Sequence, residues 1–319
     1  MNYIFFSSGG YYKTAYNDLL SLNNFLFIDD FMKRKNIISS ILYRYVLFYN
    51  RKNPLARYLS LMLFPKIYID KFNEDRRCFI FDERTAFLIN CGFLNFLKSR
   101  YPDSYFICIL HDKMLTIRNV NAFELKLNFD IVYSYDYNDV IKHNFVYRTT
   151  SYSKIDKFYF EGEVENDVIF IGQAKDRLDK IFFVYHELIR CGLKCEFYLI
   201  NVKKEMKMSL PGVYYVDWMD YSTVLAKIGD FKCILELMQK DSQNITYRTW
   251  EAILYDKFLL TDNDFLFNSP FYSEGNMYNI LDGIDSFAIK IKGRKALYNN
   301  KEQLSPLNLI NEIEKNVSR

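Results

Sequence analysis

Short apolar runs alternate with longer segments of helical periodicity from one end of the chain to the other. Runs suited to buried strands are Tyr3–Phe6, Cys78–Phe81, Tyr105–Leu110, Ile131–Tyr133, Val168–Ile171, Glu196–Ile200, Val213–Val216, Cys233–Leu237 and Phe258–Leu260. Each is nearly continuous in apolar residues, as strands covered on both faces are. Between them, residues 84–99 place Phe87, Leu88, Cys91, Leu94 and Leu97 on one helical face. Residues 178–190 do the same with Leu178, Ile181, Phe182, Tyr185, Leu188 and Ile189. Such alternation predicts an α/β fold whose parallel sheets carry helices on both faces.

About nine strands divide more naturally over two sheets than one. The polar stretch Arg148–Asn166 is the natural break, and the strand–turn–helix rhythm restarts at Asp167. The boundary is therefore expected near residue 160, with one domain over 1–160 and a second over 161–319. The last helical pattern, Leu304 to Val317, leaves open whether the chain returns to its first domain.

The chain has 319 residues, of which 50% are hydrophobic and 25% charged, which suits two domains with substantial cores. No stretch approaches the roughly 20 apolar residues of a membrane-spanning helix. The opening Met1–Gly10 lacks the basic start and long apolar run of a signal peptide, and reads as a first strand entering a turn. Six scattered cysteines, Cys78, Cys91, Cys108, Cys191, Cys195 and Cys233, offer no zinc spacing and suggest reduced, buried thiols in a cytoplasmic protein.

Charge changes the picture in one place. The net charge is only +3, yet no acidic residue lies between Asp30 and Asp70, an interval holding Lys33, Arg34, Lys35, Arg44, Arg51, Lys52, Arg57 and Lys66. Aliphatic and aromatic residues interleave with these cations, as in segments that lie on anionic lipid. The plainer alternative is a pair of core helices with a basic outer face. No nucleic-acid-binding motif accompanies the charge.

Candidate chemistry begins at Phe170-Ile171-Gly172-Gln173-Ala174-Lys175-Asp176-Arg177, where a strand ends in glycine and a helix soon starts. Backbone N–H groups at a helix start attract anions, and Lys175 and Arg177 could add cations for a diphosphate. An ordinary turn with solvated basic side chains is the alternative. In the second segment, Asn244 to Ile253, either Asn244 or Thr246 can cap a helix carrying Arg248 and, one turn on, Glu251. A capped amphipathic helix with a surface ion pair would look the same.

Taken together, these segments resemble the donor-binding half of GT-B glycosyltransferases. The run Glu251-Ala252-Ile253-Leu254-Tyr255-Asp256-Lys257-Phe258-Leu259-Leu260-Thr261-Asp262-Asn263 looks like the stretch in which that family's glutamate holds the donor ribose. The closer likeness is to bacterial capsule and lipopolysaccharide glycosyltransferases with a G-L-T-x-R-x-x-E-A pattern. Asn244 stands where that pattern has glycine, and asparagine tolerates the left-handed region better than most residues. In the first half, Phe129-Asp130-Ile131-Val132-Tyr133-Ser134-Tyr135-Asp136-Tyr137-Asn138-Asp139 resembles a stretch of the same group. The resemblance implies two Rossmann-like domains facing across a cleft. It also implies a nucleotide sugar bound through Gly172, Lys175, Arg177, Asn244, Thr246, Arg248 and Glu251, with the base near Trp218.

His111 and Asp112 end an apolar strand of the first half, where ligand crevices form in open α/β sheets, and either could be a general base. A polar loop with Asp112 capping the next helix is the alternative. The Ser7-Ser8-Gly9-Gly10 turn is a further place for acceptor contact, whereas His143 and His186 fall in helical patterns and read as structural. Asp262-Asn263-Asp264 spells a metal-diphosphate D-x-D, but it comes late in the chain and Asp262 reads as a loop or cap residue. The expectation is therefore a glycosyltransferase needing neither cofactor nor metal, acting on a lipid-linked or surface-polysaccharide acceptor. It would sit in the cytoplasm, peripheral at the inner face of the plasma membrane through the basic stretch. The other classes are a non-catalytic nucleotide- or glycan-binding partner and a membrane-surface scaffold.

Overall fold

The computed structural model describes residues 1–7, 10–28, 76–86, 92–117, 120–159, 162, 164–240, 242–299 and 301–317. The basic stretch with Lys33, Arg34, Lys35, Arg44, Arg51 and Lys52 lies outside the described residues, as do Ser8, Gly9, Phe87, Leu88 and Cys91. The chain divides into two compact units, one of Met1–Thr149 with Leu309–Arg319 and one of Thr150–Asn308.

The first unit holds a parallel sheet of β1 (Asn2–Phe6), β2 (Phe25–Ile28), β3 (Arg77–Asp82), β4 (Tyr105–Leu110), β5 (Ile131–Ser134) and β6 (Val146–Tyr147), in the order β2-β1-β3-β4-β5-β6. After β1 the chain steps to one side, and from β3 onward it steps to the other. The carboxyl ends of β1 and β3 therefore flank a topological switch point, the usual ligand position in an open α/β sheet. Helices α1 (Gly10–Ala15), α2 (Phe93–Arg100), α3 (Ala122–Asn128) and α4 (Tyr137–His143) follow strands of this sheet. One face packs Phe6, Phe79 and Phe81 against Leu94 and Leu97 of α2 and Leu125 of α3. The other packs Tyr3, Phe5 and Ile80 against Leu309, Ile310 and Ile313 of the carboxy-terminal helix, Leu307–Val317. That helix is fastened by Tyr3 Oη donating to Glu314 Oε1 at 2.6 Å and Asn316 Nδ2 donating to Tyr133 Oη at 2.9 Å.

The second unit repeats the plan with β7 (Asn166–Gln173), β8 (Cys195–Ile200), β9 (Val213–Val216), β10 (Phe231–Glu236), β11 (Phe258–Thr261) and β12 (Met277–Asn279), in the order β12-β11-β10-β7-β8-β9. Its helices are α5 (Leu178–Arg190), α6 (Tyr221–Gly229), α7 (Tyr247–Leu254), α8 (Asp264–Phe267) and α9 (Ile284–Ile291), and Leu307–Val317 is α10. Here the switch point falls between the carboxyl ends of β7 and β10.

All nine strands expected from apolar runs are present. The additional β2, β6 and β12 lie at sheet edges, and β6 and β12 have only two and three residues. Helix α2 begins at Phe93, and Glu83–Ala86 form a turn where the periodic pattern had suggested helix from residue 84. Among the described residues no helix is long and apolar enough to cross a membrane. Cys78, Cys108, Cys195 and Cys233 are buried free thiols and Cys191 is half-buried.

Candidate functional site

In the second unit, the carboxyl ends of β10 and β11 and the start of α7 converge on one buried carboxylate. Glu236, the last residue of β10, is 2% exposed. Its Oε1 accepts from the Thr246 and Thr249 hydroxyls, and its Oε2 accepts from Thr261 Oγ1 at 2.6 Å and from Asn263 Nδ2 at 3.5 Å. Thr246 is the amino-terminal cap of α7, its Oγ1 accepting from Arg248 N at 3.0 Å. Asn244 is buried and lends its carbonyl to Asn263 Nδ2 at 2.9 Å. It does not have a positive φ, so the position held by glycine in the family pattern needs no left-handed residue here.

One turn into α7, Glu251 is 1% exposed and its Oε2 pairs with Arg248 Nη1. The second oxygen, Oε1, is buried and, among the described residues, accepts no hydrogen bond of good geometry. Burial raises the Glu251 carboxyl above the ordinary range. Arg248 and the nearby Tyr221 hydroxyl pull it back, and the charge of Glu236 pushes the same way as burial. A buried carboxylate oxygen that no well-aligned donor reaches is uncommon in a folded interior. It is the kind of acceptor that a ligand hydroxyl satisfies.

The Gly172–Arg177 turn lies across the switch point from Glu236, but its cations are already engaged. Arg177 donates to the carbonyls of Leu237 and, at 3.1 Å, Gln173, which ties the end of β7 to the segment after β10. Lys175 takes the positive φ of the turn, at 47°, and its Nζ reaches Gln239 Oε1 at 3.1 Å. Asp176 Oδ2 accepts from Lys240 N at 3.3 Å. A Cβ at Gly172 would lie 3.5 Å from the Phe170 ring and 3.6 Å from Arg177 Nη2, so glycine leaves only a methyl-sized gap there. Asp262 holds this same segment rather than capping a helix: Oδ1 accepts from Met238 N at 2.7 Å and Oδ2 pairs with Lys180. Trp218, just past β9, is 76% exposed.

In the first unit, His111 follows β4 and is buried rather than presented to solvent. Its Nε2 meets Tyr16 Oη at 2.7 Å, and its Nδ1 and backbone N both meet Glu83 Oε2 at 3.1 Å. Glu83 Oε1 also accepts from Tyr12 Oη at 2.7 Å. Burial alone would raise the Glu83 carboxyl, but the His111 hydrogen bond and charge, with Tyr12, hold it at about 2. Its neighbour Asp82, which accepts from Thr85 N and Oγ1 at 2.7 and 2.8 Å, is pushed up to about 6 by burial and by the Glu83 charge. These groups sit at the switch point of this sheet. Asp112 is exposed, and the short turn Met114–Thr116 starts from Lys113 instead.

The raised Asp82 carboxyl predicts a specific pH effect. Its folded pKa of about 6 exceeds the ordinary 3.8, so stability from this residue is present at low pH and lost as pH rises through about 6. Asp82→Asn keeps an acceptor for Thr85 and removes that loss. It is expected to raise the unfolding midpoint at pH 7 and to change it little at pH 4, as thermal unfolding at both values will show.

His111, Asn244, Thr246, Arg248 and Glu251 are legible in the sequence as strand-end or helix-start residues, whereas Glu236, Asp82, Glu83, Tyr12 and Tyr16 belong to no motif there. The signal for the acids is present: Asp82 and Glu83 follow the apolar run Cys78–Phe81 and Glu236 interrupts the run Cys233–Leu237, where a carboxylate has no packing reason to be.

No family model matches the chain, and no curated protein does. Solved structures do. An α-glucosyltransferase in complex with UDP and a 13-mer DNA containing a central A:G mismatch aligns over 99% of both chains with a TM-score of 0.61 at 12% identity. The catalytic domain of starch synthase IV from Arabidopsis thaliana, bound to ADP and acarbose, aligns over 88% of this chain and 78% of its own with a TM-score of 0.50 at 10% identity. The fold is GT-B. A UDP-N-acetylglucosamine 2-epimerase from Rickettsia bellii also aligns, over 99% and 96% of the two chains with a TM-score of 0.50 at 9% identity. Likeness at this level of identity fixes the architecture, and the reaction must be argued from the site.

Proposed function

We propose that the chain is a glycosyltransferase that moves a sugar from a nucleotide-diphosphate sugar to an acceptor hydroxyl, with Thr150–Asn308 as the donor unit. The observation that carries this is Glu251 Oε1, a buried carboxylate oxygen without a good hydrogen bond, one turn into a helix whose start ends at the sheet's switch point. The vicinal hydroxyls of a ribose supply well-aligned donors for it. Arg248 and the first-turn amides of α7 take the diphosphate, with the helix dipole favouring the anion. Exposed Trp218 offers a face for the base.

Bond cleavage leaves negative charge on the departing diphosphate, which these amides and the Arg248 guanidinium stabilise in place. No metal is invoked, since both Asp262 oxygens are engaged. Lys175 is exposed with one side-chain partner and can swing toward a phosphate, whereas Arg177 shapes the turn through two carbonyls. Asp112, exposed beside the His111 network, is the candidate base for the acceptor hydroxyl. The acid-free stretch between Asp30 and Asp70 supports a lipid-linked or surface-polysaccharide acceptor reached from an anionic membrane surface, with the protein peripheral on its cytoplasmic side.

A screen of nucleoside diphosphates by thermal unfolding tests the donor site. One of them is expected to raise the midpoint by roughly 5 °C at a hundredfold excess over Kd, with most of that rise absent in Arg248→Ala. No response to any nucleotide would remove the donor assignment. Binding with no turnover of the matching nucleotide sugar would favour a non-catalytic partner.

A further inference from the structure

Glu236 is an acid where burial alone would favour an apolar side chain, since desolvating a carboxylate is expensive unless its oxygens are well satisfied. The donors that satisfy it come from two elements. Thr246 and Thr249 belong to the cap and first turn of α7, while Thr261 ends β11 and Asn263 follows it. Two of these hydroxyls carry the arrangement onward. Thr246 Oγ1 accepts from Arg248 N at 3.0 Å, and Thr261 Oγ1 accepts from Asn263 N at 3.1 Å. Asn263 in turn holds the Asn244 carbonyl, just ahead of the helix. One carboxylate thus fixes how α7 is rotated on the sheet, and Arg248 and Glu251 ride on that turn.

We propose that Glu236 is a positioning residue of the donor site: by gathering Thr246, Thr249, Thr261 and Asn263 it sets the first turn of α7 so that Arg248 and Glu251 meet the nucleotide. The role rests on the donor reading of Glu251 and adds a residue that itself touches no ligand. Glu236 also acts at a distance. Among the described residues, Arg248 on its own helix, Tyr221 of α6, Tyr255 just past α7 and Glu236 of β10 face the Glu251 carboxyl, and of these Glu236 adds negative charge. Glu236→Gln keeps the shape, removes that charge and turns one acceptor oxygen into a donor facing Thr261 and Asn263.

The test is nucleotide affinity measured by calorimetry between pH 5 and 8, using whichever of ADP, CDP, GDP, UDP and dTDP binds the wild-type chain most tightly. Glu236→Gln is expected to bind roughly tenfold more weakly at pH 7.5, the scale of one lost hydrogen bond to a charged group. The acid limb of its binding profile, set by Glu251, is expected at lower pH than in wild type. A purely structural role would lower the unfolding temperature and leave the affinity of the folded variant unchanged. Thr249→Val removes one donor and no charge, so it is expected to weaken binding several-fold with the limb in place, and it serves if Glu236→Gln does not fold. Unchanged affinity in the folded variant, or weaker binding by Glu236→Gln with an unmoved limb, overturns the positioning role alone. A wild-type chain that binds none of the five nucleotides removes the donor reading and this role together.

Discussion

Glu251→Gln is expected to weaken nucleoside diphosphate binding by roughly 30- to 100-fold and to abolish sugar transfer, with the unfolding midpoint within a few degrees of wild type. The size follows from what the carboxylate would do. A charged acceptor holding sugar hydroxyls in a site closed to water is worth about 2–3 kcal/mol, and the amide can offer only one neutral acceptor. The fold is little affected because Glu251 is raised by burial and is already costly to keep charged. Wild-type binding should itself weaken on acidification, starting above the pH at which an ordinary glutamate protonates. The sign is fixed: protonation of Glu251 removes the acceptor, and its raised carboxyl protonates early. Titration calorimetry of both proteins measures the difference, and equal affinities would place the nucleotide elsewhere.

Glu83→Ala is expected to cost about 3–5 kcal/mol of stability in the first unit, one of the largest losses available outside the apolar core. Glu83 accepts from Tyr12 Oη, His111 Nδ1 and His111 N, all buried, so its removal takes one shared acceptor from three buried donors. The pH dependence gives an independent check. Its folded pKa of about 2 lies below the ordinary 4.5, so its stabilisation is present above about 4.5 and is lost as pH falls toward 2. Chemical denaturation between pH 3 and 7 should therefore show the wild type losing an advantage over Glu83→Ala on acidification. A loss under about 1 kcal/mol at pH 7 would mean that the Tyr12, Tyr16 and His111 network is dispensable to folding.

Much of the architecture was legible because buried parallel strands advertise themselves as unbroken apolar runs. The strands without such a run lie at sheet edges, where Phe25–Ile28 is only partly buried and Val146–Tyr147 is too short to form a pattern. At the candidate site, the helix start at Thr246 and the Arg248–Glu251 pair could be read from residue spacing alone. What spacing could not show is which polar groups are already spoken for. Lys175 and Arg177 look like phosphate ligands in sequence, yet in the fold they hold the segment after β10, sixty or more residues away in the chain. His111 looks in sequence like a base at a ligand crevice, yet Tyr16 from α1's end and Glu83 from beyond β3 enclose it. Those contacts depend on strand order, which local sequence does not encode.

The most direct measurement is product analysis after incubating the wild-type protein with nucleotide sugars and a hydroxyl acceptor, following both the nucleotide and the sugar. Sugar transfer predicts release of a nucleoside diphosphate in step with a new glycosidic bond, and loss of both in Glu251→Gln. The GT-B fold also houses a UDP-sugar epimerase, so the alternatives are concrete. A sugar isomerised without any transfer product, or no nucleotide sugar consumed at all, would contradict the account.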